Sequence, residues 1–281
     1  MKKRRDLFLI ALVYILAYGI GYAVCFSIQG QILRFFVFDV TATVVTFLFS
    51  VLFRNSSVYD AYWSLTPMVM SLWLFAANRA FSVWQLLFLC VFNLWSARLT
   101  INWITVFTDF SYEDWRYRKY RSENPPALWF LINFGGIHMV PTLVVFAGML
   151  PLFEISRQPM NGLALPGIAV ILFGFAMEFF ADRQMHRFLR TTKEKTVCRR
   201  GLWRYSRHPN YLGEISVWVG TYLVMLPFLP EKWFYIIGAA AVAALFNGIS
   251  IPLMEKRQLS RRSDYAQYRK TTSRLLLLPH K

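Results

Sequence analysis

The chain has 281 residues, 56% hydrophobic, 18% aromatic and only 16% charged, with a net charge of +16. A soluble domain is nearer half apolar and a quarter charged, and the excess here comes in runs of about 20 residues, the length that crosses a bilayer as helix. A soluble fold is thereby excluded, and so is nucleic-acid binding, because the basic residues flank apolar runs and form no separate aromatic-interleaved basic domain.

Cys25, Cys90 and Cys198 are scattered, with no CxxC and no histidine at metal spacing. Neither a disulfide framework nor a metal site is expected. The Lys2–Arg5 cluster precedes an apolar run without a small-residue cleavage site, which reads as an uncleaved first helix.

Apolar runs predict spans near 7–26, 32–53, 58–78, 82–103, 127–152, 163–183, 211–230 and 233–254. Lys2 to Arg5, Arg54, Arg116 to Arg121, the cations between Arg183 and Arg207, and the tail from Lys256 to Lys281 fall on one side. The other side has only Arg34, Arg79, Arg157 and Lys232 in its short loops. Cations collect on the cytoplasmic side. The reading is an all-α, polytopic transmembrane helix bundle of about eight spans with both termini cytoplasmic. The third run opens SSVYDAYW and reads as a span or as a partly immersed, tilted helix.

Two cytoplasmic segments are too long and too polar for connectors: Thr108 to Pro126, and Arg183 to Pro209. Neither has an apolar core, so both are expected to fold over the bundle mouth. Pro125 and Pro126 interrupt local helix and set the start of span five.

A charge at the centre of a membrane helix costs about 2.5–3.5 kcal/mol, so polar residues within spans mark an interior or wet cavity. Asp39, Asp60, Arg98, Asn102, Asn133, His138, Glu178, Asp182, Glu214, Asn247 and Glu255 qualify. Asp60, Asp182, Glu214 and Glu255 lie near cytoplasmic ends and are expected to converge on one polar pocket. Glu178 and Asp182 share a helix face. They read as a cation site, as contacts for ligand hydroxyls and amides, or as partners of Arg183 and His186. Arg98 and Asn102, also four apart, read as ligand contacts or as partners for the buried acids. Asp60 lies beside Tyr59 and Tyr62 and reads either as a proton donor or as a capping acid in an aromatic belt. Asn133 and His138 flank Gly135 and Gly136, a pattern that reads as helix packing through small residues.

The densest polar stretch is GLWRYSRHPNYLGE, residues 201–214. The arginine fork suits phosphate oxygens, and Pro209 suits the first turn of a helix. Glu214 gains from the helix dipole. No GxGxxG opens a helix and no P-loop is present, so any nucleotide cofactor must sit within the helix bundle.

These motifs, with FFADRQMHRFL, SYEDWRYRKYR and the basic tail, resemble the steroid 5-alpha-reductase superfamily, closest to its bacterial membrane branch. The resemblance runs from about Ser57 onward. It implies N-terminal membrane helices over 1–56 and a catalytic domain over 57–281. It implies an NADPH-dependent reductase of a carbon-carbon double bond in an enone, acting on a steroid-like or other lipophilic substrate in a bacterial inner membrane. Asn210 and Glu214 would contact the nicotinamide end of the cofactor, and Asp182 looks like a family cofactor-binding acid. Arg204, Arg207, His208, Tyr211 and Arg257 would surround its phosphates or ribose. Asn102 joins them as a candidate cofactor contact. Tyr59 and Asp60 stand where the animal steroid reductases carry a Gln-Glu pair, and are the expected catalytic groups. RHPxYxGE is also similar to a motif of isoprenylcysteine and phospholipid methyltransferases. An S-adenosylmethionine-dependent methyltransferase of a lipid or prenylated substrate is therefore the alternative. Glu255 is followed by Lys256 where that branch has paired acids.

Overall fold

A computed structural model of the chain describes residues 2–192 and 196–279. Lys193, Lys195 and Lys281, counted above among the cytoplasmic cations, lie outside them. The described residues are helical, with no strand beyond an isolated parallel bridge between Ser206 and Ser273. Six helices are long and apolar enough to cross a membrane. These are α1 Lys2–Cys25, α2 Gln31–Leu52, α4 Val83–Val106, α6 Pro126–Ile155, α7 Gly162–Thr191 and α9 Pro230–Arg261. The protein is an integral membrane protein on that ground. The other two predicted spans fold as α3 Tyr62–Ala77 and α8 Pro209–Met225, of 16 and 17 residues. At about 1.5 Å per residue they fall short of a hydrocarbon core of about 30 Å. Two short helices, α5 Trp115–Glu123 and α10 Tyr265–Thr271, complete the set. The chain divides into two compact units, Met1–Pro159 and Met160–Lys281.

In the first unit, α1 packs along α2, and α3 packs on α4 and α6. Helix α2 ends with Arg54 in the left-handed region, φ 52°. Asn55 then caps the turn Ser56–Tyr59 by accepting the Ser57 N–H at 2.9 Å. Helix α4 starts with a reciprocal cap. Ser82 Oγ accepts from Gln85 N–H, and Gln85 Oε1 accepts from Ser82 N–H. Helix α6 opens with Pro126 at its first position, as the Pro-Pro pair predicts. It then loosens into a π-helical stretch over Ile132–Met139. Gly135 and Gly136 sit in that stretch, where an added Cβ meets nothing within 4 Å. They therefore do not pack a neighbouring helix, contrary to the small-residue reading.

The glycines that do pack are in the second unit. A Cβ on Gly174 of α7 would lie 2.5 Å from the carbonyl of Gly213 on α8. One on Gly220 would lie 2.8 Å from the carbonyl of Gly167. The seven-residue spacing on both helices repeats this backbone contact two turns apart, and it holds α8 in place despite its length. Gly174→Ala forces the two backbones apart and is expected to cost about 1–3 kcal/mol. Thermal unfolding of the detergent-solubilised protein reads this loss. Gly248→Ala, where nothing lies within 4 Å, is the matched control and should change stability by under about 0.5 kcal/mol.

Candidate functional site

Each unit carries its own cluster of candidate groups. In the first, the SYEDWRYR loop folds back on the turn after α2. Asn55 Nδ2 donates to the carbonyls of Phe110 at 3.0 Å and Tyr112 at 2.7 Å. Ser56 N–H donates to Glu113 Oε1 at 2.8 Å, and Asp114 N–H donates to Ser57 Oγ at 2.9 Å. Arg121 closes the set by donating to Glu113 at 2.7 Å. With Asp114 capping α5, Tyr117 comes to hand and donates its hydroxyl to Asp60 Oδ1 at 2.7 Å.

Asp60 sits in the turn ahead of α3, outside the spanning helices. Burial, and then the charge of Asp114, push its carboxyl up from 3.8 to about 7, while the Tyr117 hydrogen bond opposes the shift. Burial raises the Tyr117 phenol as well. The pair is thus a carboxyl that holds a proton near neutral pH beside a phenol that keeps its own.

Tyr59, next in sequence, turns elsewhere. It is fully buried, and its hydroxyl lies 2.7 Å from Thr142 Oγ1, itself 2.8 Å from Thr43 Oγ1. Its ring stacks on Tyr62 and lies 4.7 Å from the His138 imidazole. His138 in turn holds the Asn133 carbonyl at 2.8 Å. Asn102 is half-buried in α4, where its carbonyl accepts the Thr105 hydroxyl.

The second unit carries a partly open cavity of about 310 Å³. Asp182, Arg207, His208, Asn210 and Tyr211 line it, five of the sequence-predicted cofactor residues. Arg204, Glu214 and Arg257 are not in its lining. Arg204 is exposed, with its guanidinium 6.0 Å from the Tyr205 ring. Glu214 is buried and accepts the Trp218 indole N–H at 2.9 Å. Arg257 is half-buried along α9.

Arg207 is turned largely inward. Its Nε donates to Glu255 Oε1 at 2.8 Å, and its Nη1 donates to the carbonyls of Arg269 and Thr272. Two of its three nitrogens are therefore committed to the protein. The first turn of α8 stacks His208, Tyr211 and Phe246 in parallel, with ring centroids 5.4 and 4.6 Å apart. Burial holds the His208 imidazole below its ordinary value, against the pull of Glu255 at 3.3 Å.

Sequence reasoning assigns no role to the cavity residues Gln258, Arg262, Tyr265 and Tyr268, which follow the apolar run of α9 in the basic, Tyr-rich tail. They are brought in by backbone pairing. Arg207 N–H donates to the Ser273 carbonyl at 2.9 Å, and Ser206 Oγ donates to the Leu275 carbonyl at 2.7 Å. Tyr268 OH donates to the Trp203 carbonyl at 2.5 Å. Tyr117 was missed too, although its motif was visible, because nothing local links it to Asp60. Among the described residues, no group of three or more His, Cys, Asp or Glu is placed to hold a metal ion.

An uncharacterized protein of Schizosaccharomyces pombe is 27% identical over 229 aligned positions, which cover 70% of this chain and 62% of the yeast protein. No solved structure matches. The family described as "Protein of unknown function (DUF1295)" matches residues 46–272, most of the chain, and the protein belongs to that family.

Proposed function

We propose that the protein is an NADPH-dependent reductase of a carbon-carbon double bond in an enone, acting on a steroid-like or other lipophilic substrate in a bacterial inner membrane. The observation that carries this reading is the Asp60–Tyr117 pair, a proton-holding carboxyl bonded to a phenol. Reduction of an enone needs a proton donor as well as a hydride, whereas methyl transfer from S-adenosylmethionine needs no such acid.

The cavity of the second unit suits the nucleotide part of the cofactor by its donor set. Asp182 would take ribose hydroxyls, and Asn210 and Gln258 would take amide or base edges. Arg262 would meet phosphate oxygens. Its volume falls at the lower end of the range of about 300–1,000 Å³ for ligand pockets. NADPH, when bound, supplies the hydride. Asp60 is the group assigned to give the proton that enone reduction needs, with Tyr117 orienting its carboxyl.

S-adenosylmethionine shares the adenosine and is the second ligand to test. Calorimetric titration of the purified protein is expected to show NADPH binding at least about tenfold tighter than NADH and than S-adenosylmethionine, a difference of about 1.4 kcal/mol. Preferred binding of S-adenosylmethionine would replace this reading with the methyltransferase one. Equal, very weak binding of all three would remove both.

A further inference from the structure

The chain's last described stretch holds four consecutive leucines, Leu275 to Leu278. Leu276, Leu277 and Leu278 are 56%, 37% and 49% exposed. Two observations say what covers them. The first is the backbone of α9. Its π-helical stretch Phe246–Ser250 ends with Ile251 N–H bonded back to the Phe246 carbonyl. The next residue is Pro252, which has no N–H to give. The Asn247 carbonyl is thereby left without a helical donor. An unsatisfied carbonyl costs several kcal/mol in hydrocarbon. Arg274 Nη2 supplies the bond at 2.6 Å. Asn247 lies seven residues ahead of Met254, where the apolar run of α9 ends, a depth of about 10 Å along a helix. The Arg274 side chain therefore reaches inside the membrane boundary.

The second observation is the abrupt change of surface along the tail. Helix α10 exposes Arg269 and Lys270, and the leucines follow within a few residues. Ser206 fixes where they start, through its bridge to Ser273 and its hydrogen bond to the Leu275 carbonyl. Ile249, two residues from Asn247, is itself 53% exposed on a membrane-spanning helix. Arg274 is bonded to that helix, so the exposed leucines follow directly on a residue held against a membrane-spanning segment. We infer that Leu276–Leu278 insert among lipid acyl chains at the bilayer interface, and that Arg274 places them there by satisfying the carbonyl that Pro252 leaves open. The anchor ties the wall of the cavity made by Tyr265 and Tyr268 to the membrane surface.

The test uses the full chain in lipid vesicles, with Cys90, the exposed native cysteine, changed to serine. A fluorophore is placed on Leu277→Cys, or on Gln267→Cys on the exposed face of α10. Brominated acyl chains are expected to quench the label at 277 at least about threefold more than the label at 267, and aqueous iodide should show the reverse order. Equal quenching of both labels by iodide, with no lipid quenching at 277, overturns the proposal. Adding Arg274→Ala should bring lipid quenching at 277 down to the level at 267. Unchanged quenching would refute the role given to Arg274. Neither readout depends on the cofactor or the reaction.

Discussion

Replacing Arg207 with alanine is expected to remove about 3 kcal/mol of stability from the second unit, the lower end of the cost of breaking a buried ion pair from one side, because Arg269 stays 3.6 Å from Glu255. Glu255 would keep its charge but lose its 2.8 Å partner, and the carbonyls of Arg269 and Thr272 would lose their shared donor. These three acceptors tie α9 to the tail, so detachment of α10 is the expected structural result. Thermal unfolding and limited proteolysis near Thr271 both read it. Arg204→Ala is the control, because Arg204 is exposed and lines no cavity. Its stability should stay within about 0.5 kcal/mol of the parent. An Arg207→Ala protein of unchanged stability that has lost NADPH binding would instead restore the phosphate contact read from the sequence.

The second large effect falls on turnover. With the proposed reductase activity, Asp60→Asn is expected to lower kcat by about 10²- to 10⁴-fold, the usual contribution of a positioned general acid. NADPH affinity should be unchanged, because Asp60 belongs to the first unit and the nucleotide is assigned to the second. Tyr117→Phe should give a smaller loss and move the alkaline limb of the pH profile to higher pH, since the Tyr117 hydrogen bond holds the carboxyl's value down.

The same carboxyl predicts a pH effect on folding. Its value is 3.8 in the free chain and about 7 in the fold. The folded state therefore binds the extra proton between these values. This contribution is fully present below about pH 4 and is lost as pH rises through about 7. The slope between those limits should flatten in Asp60→Asn. A parent protein whose stability has the same slope as Asp60→Asn over this range would show that Asp60 ionises normally.

The predicted spans reappear as helices wherever the signal is local. A membrane-spanning helix needs only a contiguous apolar run, and Lys2–Cys25 or Pro126–Ile155 can be read from neighbouring residues alone. The proline pair that starts α6 and the polar first turn of α8 were legible for the same reason. Lengths were less so. The runs around α3 and α8 look like full spans, but ordered turns shorten both, Ser56–Tyr59 at the start of the first and the turn after Met225 at the end of the second.

What composition and order determined by themselves was an all-helical membrane protein, with its chemistry gathered in the SYEDWRYR loop and the RYSRHPNYLGE seam. Only the tertiary structure decided how those groups are used. Asp60 and Tyr117 are 57 residues apart, and their bond depends on Asn55 and Glu113 pinning a loop. Arg207 looked like a phosphate ligand because arginine forks fit phosphate. Two of its three nitrogens are taken by Glu255 and two tail carbonyls, which lie 48 to 65 residues away. The glycine contact of α7 with α8 and the Arg274 bond to the carbonyl freed by Pro252 are likewise invisible locally. Hydrophobicity adds up residue by residue along a chain, but a hydrogen-bond partner exists only once distant backbone has been brought within about 3 Å.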